Sequence, residues 1–445
     1  MNELQVLRPQ LAVAAGLAAG LLAGMMKRIP GGLLRVIGFS GLLGAMGLLL
    51  ATRLGISGPL LQLDEMGLTL QFLFLAAALP VVFFLDPHDE VPLVLTLGSV
   101  LGMGVLAASG HLLMLFIGLE LMSLPAYLLV AKGAQPGRAT EAGLKYFFAG
   151  SVAGSLYLLG MTLHYASAKS LSLTGAPGTL GDAGLLLMGA AALFKLGAVP
   201  LHFWLPDVYE ASAPELAGFF STGMKAAAAL LLMRLTATDP HSLLARALPW
   251  IGGATALFGA LAALRQQRLQ RLLAYSSISH AGNLILGVGA WAAMGALPAG
   301  AGAVFFYLAA YLFISSGSFL WLKVSQVSDR AGLRGYAAAR PAAAALFCVL
   351  LLCLAGLPPT GGFLAKLLVF WDAVKAGLYW PVALAGLGSL VSLGYYLGLV
   401  RDMYFEAPQE PAPKLSEGSV LVFACALPAV LLGLTPWLIG LLGPR

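Results

Sequence analysis

Apolar runs of about 17–25 residues, the length that crosses a hydrocarbon layer as helix, follow one another along the chain between short polar stretches. They lay out as roughly fourteen spans of bilayer length. The centres fall near Ala18, Gly44, Leu75, Val100, Leu121, Ala153, Leu193, Leu230, Ala256, Gly282, Ala310, Leu352, Leu390 and Val430. The ninth and tenth are joined closely by the basic stretch Arg265-Gln266-Gln267-Arg268-Leu269-Gln270-Arg271. The pattern predicts an all-α polytopic membrane protein. The first apolar stretch, Leu11 to Met26, is followed by segments of the same style and reads as a retained first span rather than a signal peptide.

Loop charge predicts the orientation. Loops after odd-numbered spans hold Lys27, Arg28, Arg35, Lys132, Arg138, Arg265, Arg268, Arg271, Lys323, Arg330, Arg334, Arg340, Arg401 and Lys414, fourteen positive charges. The other loops and both termini hold seven: Arg8, Arg53, Lys169, Arg234, Arg246, Lys375 and Arg445. The positive-inside rule makes the odd loops cytoplasmic and puts both termini outside, which requires an even number of spans. The longest polar connection, Arg401 to Glu417, carries Pro408, Pro411 and Pro413 and reads as an extended cytoplasmic loop.

Composition narrows the class further. The chain is 60% hydrophobic and 10% charged, against about 25% charged in soluble domains, so no sizeable soluble domain fits. Its 55 glycines suit close helix approach in lipid. Cys348, Cys353 and Cys425 lie in apolar segments without metal-ligand spacing and read as small core residues. The net charge of +6 is explained by topology and implies no nucleic-acid partner. Nucleophile–base pairs, metal-binding spacings and phosphate-binding glycine loops are absent from the sequence. The chain therefore carries no cofactor by this reading, and its energy source is an ion gradient or a partner protein.

The candidate chemistry is five charges inside apolar runs: Lys145, Lys195, Lys225, Lys366 and Glu120. The remaining Lys, Arg, Asp and Glu fall in loops, tails or segment ends. A charge at the bilayer centre costs roughly 2.5–3.5 kcal/mol or more and by default marks an ion or proton path. Desolvation favours a neutral amine and a nearby carboxylate favours the charged one. A Lys–Glu pair that closes and separates would therefore hold and release a proton, and Lys195 is the expected partner of Glu120. Lys145 is near a cytoplasmic end and could instead snorkel to the interface. His280, mid-span among Ser276, Ser277 and Ser279, is a relay candidate, with a hydrogen-bonded structural histidine as the alternative. His164 and His202 are weaker candidates, nearer span ends.

Two spans should break. One reads Lys195-Leu196-Gly197-Ala198-Val199-Pro200 and continues to Pro206-Asp207; the other reads Gly356-Leu357-Pro358-Pro359-Thr360-Gly361-Gly362 and continues to Lys366. Proline removes a backbone donor, and unpaired backbone survives at membrane depth only beside protein or a water-filled cavity. Paired broken segments point to a transport site, although Pro200 alone could simply end a helix.

These segments also resemble a known family. Lys195 through Pro206-Asp207-Val208-Tyr209-Glu210-Ala211-Ser212-Ala213-Pro214, Lys145-Tyr146-Phe147, Arg271 through Tyr275-Ser276-Ser277-Ile278-Ser279-His280-Ala281-Gly282 and Gly356 through Phe363 are similar to the signatures of the antiporter-like membrane subunits of respiratory complex I. The likeness runs from about Leu60 to Tyr404. Lys366 stands where the M-type subunit is expected to have a glutamate, and the end near Arg445 leaves no room for the lateral helix of the L-type subunit. Glu210-Ala211-Ser212 departs from the family's usual Gln or Glu followed by Gly.

The resemblance implies two inverted five-helix repeats with one broken helix each. The expected division is 1–90 for the first three spans, 91–240 and 241–405 for the repeats, and 406–445 for the loop and last helix. It implies proton translocation driven by quinone reduction elsewhere in an NADH–quinone oxidoreductase. Glu120 and Lys195 would be the coupling pair, Lys225, His280 and Lys366 the continuing path, and Lys145 a further transfer residue. FMN, iron–sulfur clusters, NADH and quinone would sit in other subunits. Partners would be the M-type subunit, the small K/J/A-type subunits and lipids of a bacterial cytoplasmic membrane, with both termini periplasmic. The alternatives are a subunit of a multi-subunit sodium–proton antiporter or membrane-bound hydrogenase, or a scaffold whose charges only specify helix packing.

Overall fold

The computed structural model describes residues 5–26, 29–52, 55–58, 60–133, 136–173, 178–408 and 413–442. Lys27, Arg28, Arg53 and Arg445 of the loop and terminal charges, and Pro411 of the long loop, lie outside them.

Apolar runs become helices because backbone without access to water must pair its own N–H and C=O groups within one segment. The first part of the chain forms α1 (Arg8–Gly24), α2 (Leu33–Ala51), a short hairpin of β1 (Ile56–Ser57) and β2 (Gln62–Leu63), α3 (Glu65–Phe83), α4 (Val91–Ala107), α5 (Leu112–Ala131), α6 (Pro136–Ala168) and α7 (Gly178–Leu196). Then follow α8 (Leu205–Ala211), α9 (Pro214–Phe219), a π-turn (Phe220–Met224), α10 (Lys225–Thr238), α11 (Leu243–Ala263) and α12 (Leu269–Ala293). A 3₁₀ turn (Pro298–Ala301) leads to α13 (Gly302–Ser325), short α14 (Arg330–Leu333) and α15 (Tyr336–Ala339), α16 (Pro341–Ala355), α17 (Gly361–Lys375), α18 (Tyr379–Phe405) and α19 (Ser419–Leu442).

Each of the fourteen centres falls within a different helix. Among the described residues, nine helical segments are long and apolar enough to cross a membrane, and Val91–Ala107, Pro341–Ala355 and Ser419–Thr435 are shorter apolar helices. The 25-residue α12 is not among them because Ser276, Ser277, Ser279, His280 and Asn283 interrupt its apolar run.

The chain forms two compact units. The first comprises Met1–Gly197 and Gly223–Arg246, the second Ala198–Thr222 and Ala247–Arg445. In the first, α4 packs on α5, α6 on α7, and α10 on α7, α3 and α4. A Cβ at Gly160 would come within 2.5 Å of the Gly184 carbonyl oxygen, so only glycine permits this α6–α7 approach. In the second unit, α13 packs on α9, α17 and α19, and α12 packs on α17, where Val369 lies against Gly287.

Both expected breaks occur, with the same local form. α7 ends at Gly197 (φ 75°) and α16 at Gly356 (φ 79°), left-handed positions that glycine adopts without a Cβ clash. In each, a cis proline follows three residues later, at Pro200 and Pro359. Thr360 caps the resumed helix by accepting from the Phe363 N–H at 3.3 Å.

Three charges that the sequence places at segment ends are buried instead. Arg234, Glu215 and Asp402 are 4%, 8% and 2% exposed, and each has an opposite charge. Arg234 donates to Asp64 Oδ1 at 2.8 Å, Lys323 to Glu215 Oε1 at 2.8 Å, and Arg330 to Asp402 Oδ2 at 2.8 Å. A charge can be removed from water when its partner accompanies it.

Candidate functional site

In the first unit three helices converge on Lys195. α5 carries Glu120 and Tyr127 seven residues apart, two turns along one face. α6 offers Tyr146 on one turn and Gly150 and Gly154 on the next two. α7 brings Lys195 from its last turn, beside the break. Lys195 is 6% exposed, and its Nζ donates to the Tyr127 hydroxyl at 3.1 Å and the Tyr146 hydroxyl at 3.4 Å. The ammonium also lies over both rings, 4.7 and 4.6 Å from their centroids, and the rings meet edge to face at 4.6 Å. The lysine sits in an aromatic box closed by phenol oxygens.

The expected direct ion pair between Glu120 and Lys195 is absent among the described residues. Lys195 is hydrogen-bonded instead to the two tyrosines. The half-buried Glu120 carboxylate lies against Gly154, where a Cβ would approach Oε1 to 2.8 Å. Tyr127 lies against Gly150 in the same way, its Cζ 2.6 Å from where a Cβ would stand. The two glycines, one turn apart, form a groove that holds both side chains.

Lys225 is 2% exposed, on α10, which packs against the helix of Lys195. It follows directly on the π-turn Phe220–Met224. Ser221 and Thr222 stabilise that turn by donating to the Gly218 carbonyl at 2.9 and 2.7 Å. Lys145 stands apart from the buried set: its side chain is about half exposed and ion-paired with Glu141 at 2.7 Å, one turn away. His164 is fully buried on α6.

In the second unit His280 is 6% exposed and its Nδ1 is 2.7 Å from the Tyr307 hydroxyl. Asn283 donates to the same hydroxyl at 3.4 Å, and Tyr311 donates to Ser277 at 3.0 Å. Ser276, on another side of α12, bonds the Tyr396 hydroxyl on α18. His280 thus belongs to a hydroxyl network. His202, on the break, packs edge-on against Phe258 at 4.6 Å.

Lys366 is 7% exposed on α17, and its Nζ donates to the carbonyls of Leu354 and Ala355, both at 3.0 Å. These are carbonyls that α16 leaves without helical partners where it stops at Gly356. The ammonium also offsets the negative end of that helix. Among the described residues no group of His, Cys, Asp and Glu could hold a metal ion.

Sequence reasoning found the buried charges and His280 but missed Tyr127, Tyr146, Tyr307 and Tyr311. Spacing carried some signal: Tyr127 lies seven residues after Glu120, and Tyr307 and Tyr311 are four apart on one helix face.

Comparison with known proteins extends these features. Residues 109–392 match the family model described as NADH:quinone oxidoreductase/Mrp antiporter, TM. NADH-quinone oxidoreductase subunit N of Syntrophotalea carbinolica is 40% identical over 363 residues, covering 77% of this chain and 76% of that protein. NADH-quinone oxidoreductase subunit N 2 of Roseiflexus castenholzii is 34% identical over 442 residues, covering 91% and 88%. A chain of respiratory complex I from Thermus thermophilus superposes with a TM-score of 0.86 at 34% identity, covering 97% of this chain and 98% of that one. A chain of the Mrp complex from Dietzia sp. shares the fold alone, with a TM-score of 0.80 at 22% identity over 98% and 94%. The chain belongs to the NADH:quinone oxidoreductase/Mrp antiporter transmembrane family, and its relatives there are subunit N proteins of NADH-quinone oxidoreductase.

Proposed function

We propose that this integral membrane subunit moves protons across a bacterial cytoplasmic membrane as part of an NADH–quinone oxidoreductase, driven by quinone reduction in neighbouring subunits. One observation carries the reading: Lys195, 6% exposed beside a helix break, is hydrogen-bonded among the described residues to two neutral phenols, one of them on the helix of Glu120. A buried amine held by neutral groups changes its proton affinity when a nearby charge moves. In the second unit the His280 hydroxyl network and Lys366 continue the path in this proposal. Lys225 joins them through its place on α10, and Lys145 at the cytoplasmic end serves as a surface transfer residue.

The same reading assigns the repeats to residues 91–240 and 241–405 and both termini to the periplasm, supported by the loop-charge bias. FMN, the iron–sulfur clusters, NADH and quinone belong to other subunits, and the M-type and small K/J/A-type subunits are the partners. The decisive experiment measures proton pumping and NADH–quinone reductase activity in assembled Lys195→Ala and Glu120→Ala complexes. Lost pumping with the subunit in place supports the reading, and full pumping by both rejects it. The antiporter alternative rests on a likeness at 22% identity, below the 34–40% shared with subunit N proteins. Sodium-dependent transport by the purified assembly would favour it.

A further inference from the structure

Glu120 and Lys195 make no direct ion pair among the described residues, and Tyr127 reaches the ammonium from the helix of Glu120, with buried Ser123 between the two on that helix face. Tyr127 accepts from Lys195 Nζ at 3.1 Å and shares a helix face with Glu120, seven residues away. The two glycines on α6 set the scale of the remaining gap. The Tyr127 phenol end lies at Gly150 and Glu120 Oε1 at Gly154. Four residues of helix rise about 6 Å. A single water accepting and donating at about 2.8 Å on each side bridges a gap of that order.

We propose that the Tyr127 hydroxyl is the proton-transfer group between Lys195 and Glu120, completed by one bridging water; this rests on the pumping role proposed above. The step is concerted and balanced. An N–H bond of the Lys195 ammonium breaks as an O–H bond forms at Tyr127. The original Tyr127 proton passes to the water, and a water proton passes to the Glu120 carboxylate. Lysine ends neutral, the carboxylate ends protonated, and the phenol and water are regenerated, so no phenolate persists. Reversal restores the charged pair. Tyr146, 3.4 Å from the same ammonium, sits on α6 eight residues before Gly154, away from that end of the groove. It holds the amine in place without lying on the route.

The test compares assembled complexes carrying Tyr127→Phe, Tyr146→Phe and Lys195→Ala. Tyr127→Phe is expected to reduce pumping to the level of Lys195→Ala, with the subunit retained, and Tyr146→Phe to reduce it less. Replacing Tyr127 with 3-fluorotyrosine keeps the shape and makes the phenol more acidic. It is expected to preserve pumping, displace its pH profile toward acid and alter the solvent deuterium isotope effect. This variant also decides the matter if Tyr127→Phe fails to assemble. Wild-type pumping in Tyr127→Phe overturns the proposal. So does an unchanged pH profile and isotope effect in the fluorotyrosine complex, which would make Tyr127 a positioning residue only. Full pumping by Lys195→Ala would overturn the Tyr127 assignment, and full pumping by Glu120→Ala as well would overturn the parent reading with it.

Discussion

Gly150→Ala adds one methyl group at the point where α6 touches the Tyr127 phenol. The new Cβ would stand 2.6 Å from Tyr127 Cζ and closer still to the hydroxyl, where ordinary contact begins at 3.4 Å. The ring must therefore retreat by at least the 0.8 Å difference between those values. It cannot do so freely, because Tyr146 meets it edge to face at 4.6 Å and Phe147 at 5.9 Å. A displacement of that size along the Lys195 direction lengthens the 3.1 Å hydrogen bond to about 3.9 Å, beyond useful reach. The cost is about 1–3 kcal/mol of overpacking, together with roughly 1.5–3 kcal/mol for a hydrogen bond to a charged group. The assay is proton uptake per NADH oxidised in proteoliposomes, beside a Gly137→Ala control on the same helix, where nothing lies within 4 Å. Pumping should fall in the first variant and stay normal in the second. An assembled Gly150→Ala complex that pumps at the wild-type rate would refute the view that this groove sets the lysine's geometry.

Further outcomes follow from the other sites. Lys366→Ala uncovers the Leu354 and Ala355 carbonyls and should lower the melting temperature of the purified complex, reflecting a loss of about 1–3 kcal/mol; unchanged melting would mean water replaces the ammonium as a cap. Asp64→Asn leaves the Arg234 guanidinium buried without its counter-charge. Because Asp64 is 38% exposed, the cost should be below the roughly 3–5 kcal/mol of a fully buried pair, read as a lower denaturation midpoint. Tyr307→Phe removes the hydroxyl on His280 Nδ1 and should slow pumping while leaving the fold intact by circular dichroism, whereas normal pumping would mark His280 as structural.

The spans were legible because a bilayer reads mean apolarity over some twenty residues, and local sequence contains that directly. The buried lysines were legible for the same reason: Lys195, Lys225 and Lys366 each interrupt an apolar run, and each is buried. The breaks announced themselves through proline and glycine. Lys145 has the same local signature, yet its side chain is half exposed, because one turn of helix separates it from Glu141 at the polar end of α6. Arg234 and Asp402 carry the opposite lesson. Near a span end a charge looks solvated, and only the fold supplies Asp64 and Arg330. Tyrosine in an apolar helix is ordinary packing by sequence, so the box around Lys195 existed only once three helices met.

The wide turn at Phe220–Met224 gives the helix of Lys225 one residue more than an α-helical register accommodates. An excess residue of this kind can migrate along a helix by exchanging one backbone partner at a time. Each step carries the residue it passes about 100° around the axis, since a turn holds 3.6 residues, while the turns beyond it keep their places. With Lys225 immediately downstream, a single such step would swing its amine from one neighbouring wall to another. The helix would rotate a charge much as a ratchet advances by one tooth, with its two ends left in place.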